Sequence, residues 1–248
     1  MTARTSDIVS SLAILLCVAL WAPHESAAAD SKEAAKSDEK PQATDSDSDS
    51  KARVPKFLQR NLGSPKTRLG GATRGADDDI PRTEALVPEE AGQTLRAQPV
   101  LYWHLSKQTN HRIDFTLIGV DPINPLLEVT LEGEFEPGIQ QIRLDEYGVM
   151  LQEGVRYQWF VALVPQPKQR LHDRIIGGGI ERLSAPADLQ SKLDAAPAAD
   201  AHFILAEAGV WYDALDSLSQ QIMLSPGDAK LAAQRAALLD QVGLGQLN

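Results

Sequence analysis

Apolar and polar positions alternate through the middle of the chain and then change period. The densest run is Gly154–Leu163. Alternation puts Tyr157, Trp159 and Val161 on one face of a strand, and Gln158, Phe160 and Ala162 on the other. Two large rings on one face predict a central strand over which a β core is built. Val100–Leu105 follows Pro99 and reads as a core strand; Ile113–Ile118 alternates and reads as half-buried. In Leu127–Gly133, Leu127, Val129 and Leu131 are expected to point in, and Glu128, Thr130 and Glu132 out. Asp121–Pro125 and Pro137-Gly138 are turns, the second leading into Ile139–Leu144. Ile175–Leu183 carries Gly177, Gly178 and Gly179, which predict either a bulge or a close backbone approach. Six or seven short strands between turn signals predict an antiparallel β-sandwich of immunoglobulin or fibronectin type over 84–184.

From Ala187 the period becomes helical. Asp200 is placed to cap a helix that runs to Ala208 and stops at Gly209. A second helix, Trp211–Leu224, stops at Ser225-Pro226-Gly227, and a third runs from Asp228 to Val242. The expected fold is therefore β plus α: a sandwich, then a helical hairpin with a third helix over 185–248. Trp211 and Tyr212 are expected to pack first and to offer a partner surface second.

The N-terminal part changes the picture. Arg4, an apolar run from Ile8 to Trp21 and Ala27-Ala28-Ala29 are the parts of a signal peptide over 1–29, cleaved after about Ala29. The run is too short to span a bilayer comfortably, and no later segment is apolar enough to do so. Residues 30–55 are mostly Ser, Asp, Glu, Lys and Ala, which predicts a disordered polar tether. Residues 56–83 form a basic, Gly-rich leader. Within it Lys66, Arg68 and Arg74 are candidate anion-binding residues, although no Gly-Lys-Ser/Thr completes a phosphate loop. The leader is expected to lie along the domain, with glycine where the backbones approach.

The whole chain has 34 acidic and 24 basic residues, net −10, which argues against nucleic acid as a partner. Cys17 is the one cysteine and lies in the signal segment, so the mature chain forms no disulfide. Together with the leader this points to a bacterial periplasmic or secreted protein. No nucleophile elbow, His-Glu-x-x-His or Cys/His spacing is present, so no catalytic, cofactor or metal residue is assigned. His104 and His111 flank one turn, and Glu128, Glu132 and Glu134 read as a solvent face. A non-catalytic interaction module with an envelope or periplasmic protein partner is the expected function. The alternatives are a binder of an anionic envelope polymer or glycan, and a hydrolase assembled from scattered carboxylates and His104.

Two resemblances follow. Gly209-x-Trp211-x-x-Ala214-x-x-x-Leu218, with Pro226 beyond, resembles one tetratricopeptide repeat; His202 and Leu205 depart from it. A wider set covers residues 60–245: Arg68-x-Gly70-Gly71-x-Thr73-Arg74-Gly75, Ala85-Leu86-Val87-Pro88, Tyr102-Trp103, Tyr157-x-Trp159, Gly178-x-Ile180-x-Arg182 and Ala206–Leu215. It resembles the bacterial secreted family catalogued as domain of unknown function 928. That likeness implies an exported envelope protein with no assigned activity, and hence no catalytic residue to carry over.

Overall fold

The computed structural model describes residues 53–59, 65–70 and 80–247. The expected signal peptide, the tether as far as residue 52, and Arg74 lie outside the described residues. Among the described residues run strands β1 (Thr83–Ala85), β2 (Gly92–Thr94), β3 (Val100–Leu105), β4 (Arg112–Ile118), β5 (Leu127–Leu131), β6 (Gly138–Arg143), β7 (Arg156–Val164) and β8 (Arg174–Arg182). Helices α1 (Ala187–Ala195), α2 (Ala201–Glu207), α3 (Trp211–Leu224) and α4 (Ala229–Asp240) follow.

One sheet has the order β2-β8-β7-β4-β5, which puts β7 in the middle. Its inward residues Tyr157, Trp159, Val161 and Leu163 are 4%, 0%, 0% and 0% exposed. Trp159 stands between Leu117 on β4 and Gly178 on β8 and stacks on Phe115. The pairing of β7 with β8 runs unbroken from Arg156↔Glu181 to Leu163↔Arg174, so the three glycines form no bulge. They mark close approach instead: a Cβ on Gly178 would lie 2.7 Å from Val87, and one on Gly179 2.8 Å from Thr67. β5 is an edge strand, and Leu127, Val129 and Leu131 are half-buried rather than enclosed.

The second sheet has the order β1-β3-β6. β3 is covered on both faces: Leu101, Trp103 and Leu105 on one, Val100 and Tyr102 on the other. Side chains of both sheets and of the helices join one hydrophobic core. The strand pairs are antiparallel except β2 with β8, which is parallel. The pattern of the sequence does not announce β1 or β2, because three residues are too few to display a period.

The leader lies where expected over residues 65–70. Leu69 and Gly177 exchange main-chain bonds of 3.0 and 3.2 Å, and Gly179 donates to Thr67 Oγ1 at 3.1 Å. β2 pairs with the other half of β8, so the outer edge of that strand is covered along its length.

Among the described residues four α-helices stand where three helices were expected, the extra one being α1. Asp228 caps α4, accepting from Lys230 and Leu231 N–H at 2.8 and 3.2 Å. Asp200 stands before α2 without a cap bond and faces Arg53 at 3.8 Å instead. Gly209 ends α2 with φ 76°, the left-handed conformation that favours glycine.

Tyr212 on α3 fastens the helices to the larger sheet. Its hydroxyl accepts from Trp159 Nε1 and donates to the carbonyl of Gly179, both at 2.9 Å. Tyr212→Phe leaves the buried indole N–H without an acceptor. The expected cost is about 1–3 kcal/mol, read as a lower urea midpoint at unchanged slope. An unchanged midpoint would show that neither bond contributes.

Candidate functional site

Polar groups gather in three places. The first is where α3 meets β2 and β3. Asp213 accepts from Thr94 Oγ1 at 2.5 Å and from Leu95 N–H at 2.9 Å. Asp216, 2% exposed, pairs with Arg96 and accepts from the Tyr102 hydroxyl at 2.7 Å. Burial pushes the Asp213 carboxyl up, against the pull of its two donors and of Arg96. Burial, then the charge of Asp216, pushes the Tyr102 phenol up as well. The donors that reach these carboxylates come from the chain itself, so the pair acts as a clasp between helix and sheet.

The second place is the outer side of β4. Asp114 accepts from Arg112 at 2.7 Å, Arg170 at 2.8 Å and Thr130 at 3.0 Å, while Arg170 also pairs with Asp173 at 2.7 Å. Burial works against the Asp114 anion, but these donors hold its pKa below the usual value. Two arginines match two aspartates and tie the β7–β8 connection to β4. Among the described residues no group of three His, Cys, Asp or Glu is arranged to hold a metal ion. His104 is partly buried, and burial lowers its pKa.

The third place is a helix face that holds a piece of the chain's own N-terminal part. Residues 53–58 lie along α2 and α4. Gln234 donates to the carbonyl of Arg53 at 2.9 Å. Gln241 donates to the carbonyl of Pro55 and accepts from Phe57 N–H, both at 2.8 Å. Leu58 N–H donates to the carbonyl of Ala206 at 3.1 Å. Pro55 is buried, Phe57 meets Trp211 edge-on at 4.9 Å, and the Arg53 guanidinium lies 3.9 Å from the centre of the Phe203 ring. Beside Leu58 opens a groove of about 800 Å³, walled by Lys56, Leu189, Lys192, Ile204 and Glu207.

The residues singled out from sequence fall elsewhere. Lys66 pairs with Glu89 at 2.6 Å. Arg68 faces the same Glu89 at 3.8 Å and donates to the carbonyls of Val87 and Val242 at 3.2 and 2.8 Å. Arg68 thus ties the leader to the chain just beyond α4, and both cations meet the Glu89 carboxylate. Trp211 and Tyr212 are 0% and 1% exposed with residues 53–58 in place, and Phe57 covers the edge of the Trp211 ring. Sequence reasoning missed Gln234 and Gln241. Their spacing of seven puts Gln234 on α4 and Gln241, which follows its last residue, on the same side, and a proline two residues before a phenylalanine was the matching signal in 53–58.

Fold and site together define a two-sheet domain with a helical cap that grips an extended segment of its own chain. Residues 69–248 match the family described as Domain of Unknown Function (DUF928), and the chain belongs to that family. No curated protein matches it. The gripping residues Phe203, Trp211, Gln234 and Gln241 lie inside the matched stretch, and the gripped segment 53–58 precedes it.

Proposed function

We propose that this is a non-catalytic exported envelope protein that acts as a protein-interaction module, its helical cap taking hold of a segment of another envelope or periplasmic protein. The observation that carries the reading is the grip on residues 53–58, which is made largely to main-chain groups. Main-chain bonds hold any extended peptide, and pockets for alternate side chains then select among them. In the same reading the two sheets form an immunoglobulin-type sandwich, supported by their shared core. The α2–α3 hairpin is a single tetratricopeptide-like unit, supported by the burial of Trp211, Ala214 and Leu218. One such unit forms no superhelix alone, which suits a cap resting on a sheet domain.

Leu189 is the test position, because it is 7% exposed and lines the groove beside Leu58. A photo-crosslinking residue at Lys192 in intact cells is expected to capture one discrete envelope protein. Leu189→Asp puts a charge on the apolar wall and should lower the yield about tenfold or more, with the purified variant still folded. The fully exposed Leu171→Asp should leave the yield unchanged. Equal yields from both variants would remove the groove from the function.

A further inference from the structure

Residues 53–58 make contacts of the kind a bound peptide makes. Pro55 is buried and Phe57 half-buried against the helices, Val54 and Leu58 stay 52% and 47% exposed, and the Arg53 side chain, 58% exposed, rests on the Phe203 ring. That is the alternate-residue reading of an extended ligand. Gln241 uses both ends of one side-chain amide on the two sides of the Pro-Lys-Phe step, giving to the Pro55 carbonyl and taking from the Phe57 N–H. A side-chain amide can do both in one orientation, its NH₂ giving and its oxygen taking. At position 55 the ligand N–H would be buried, and proline has none to leave unsatisfied. Proline also fixes the extended backbone in advance, which reduces the ordering cost of binding. Phe57 meets the edge of Trp211, and the Arg53 cation lies over Phe203 with the exposed Asp200 carboxylate 3.8 Å away. None of these bonds requires that the peptide belong to the same chain.

From this pattern we infer that residues 53–58 are an intramolecular ligand, and that the face made by α2, α4 and Trp211 recognises, in a partner protein, an extended segment of the form basic-x-Pro-x-aromatic. The inference rests on the interaction-module reading and adds to it the chemistry of the partner. Its own segment occupies the face at high effective concentration, so the partner must displace it. The cap is then closed until a competing segment arrives in sufficient amount.

The probe is a fluorescein-labelled synthetic peptide of residues 53–58, followed by anisotropy with the full-length protein. Two variants vacate the face: one with residues 53–58 replaced by alternating glycine and serine, and the milder R53A/F57A double substitution. Each is checked for its folded signal by circular dichroism. Either vacated chain is expected to bind the peptide saturably and about tenfold or more tighter than wild type, because it no longer competes with a tethered copy. Adding Gln241→Ala should abolish that gain, and a peptide with alanine at the Pro55 and Phe57 positions should not bind. A folded, vacated chain with no saturable binding at millimolar peptide overturns the inference, as does binding indifferent to Gln241→Ala. A wild-type dimer that the free peptide dissociates would assign the face to a second copy and overturn the partner assignment. Any of these failures leaves the Leu189→Asp crosslinking result standing, so the two readings fall separately.

Discussion

Trp211→Ala is expected to lower the free energy of unfolding by about 3–5 kcal/mol, the range for deleting a large aromatic from a packed interior. Trp211 is fully buried at the start of α3. Its indole N–H donates to the carbonyl of Leu86 at 2.9 Å, and Phe57 packs on its edge with the rings at 73°. Three losses therefore coincide: the apolar burial, the donor to a buried carbonyl, and an edge-to-face pair worth about 0.5–1.5 kcal/mol. Trp211→Phe restores most of the volume but not the N–H, so it should fall between wild type and alanine. The check is urea denaturation of the full chain, with the slope monitored to keep the comparison two-state. A cost below about 1 kcal/mol for Trp211→Ala would mean that the cap is not held on this ring. The same substitution removes the wall that Phe57 rests on, so it should also loosen the grip on 53–58.

What was legible in the sequence, and what was not, follows from the range of the interactions. β4, β5 and β7 were readable because alternating residues display a period of two, and β3 and β8 because short apolar runs stand between turn signals. Trp211 to Leu224 was readable because a proline and a glycine follow it. β1 and β2 were not, since Thr83–Ala85 and Gly92–Thr94 become strands only through their partners β3 and β8. The parallel setting of β2 on β8 has no local signal at all. The burial of two carboxylates on α3 has no local signal either. Asp213 and Asp216 look like the polar face of an amphipathic helix, yet Thr94, Arg96 and Tyr102 enclose them. Residues 211–216 are consequently buried. Lys66 and Arg68 were chosen for their charge, and the carboxylate that answers both, Glu89, sits about twenty residues on, in a loop with no pattern. The grip on 53–58 was the hardest to foresee: its bonds run from main chain to glutamine side chains more than 180 residues away.

Asp213 gives a second large effect, with a pH signature attached. Asp213→Ala leaves the Thr94 hydroxyl and the Leu95 N–H without their acceptor inside the protein, at an expected cost of about 2–3 kcal/mol. Asp213→Asn keeps the shape. Its oxygen can face the Leu95 N–H, and its NH₂ can donate to the second lone pair of Thr94 Oγ1, so its cost near neutral pH should be smaller. Burial holds the folded carboxyl above its usual value of 3.8, and the neighbouring Asp216 pushes the same way. Between 3.8 and that raised value the native state binds more protons at this site than the unfolded chain does. The contribution of Asp213 is therefore complete at the acid end and is lost as pH rises through the folded pKa. The asparagine amide does not titrate, so the stability of wild type relative to Asp213→Asn should decline across the same window. Denaturation of both proteins from about pH 4 to about pH 8 reads this difference directly, because the other titrating groups are common to both. Parallel curves would mean that Asp213 has the same proton affinity folded and unfolded. A difference that grows with pH would mean that the donors from Thr94, Leu95 and Arg96 outweigh burial, and that the clasp between α3 and β2 is held as an anion.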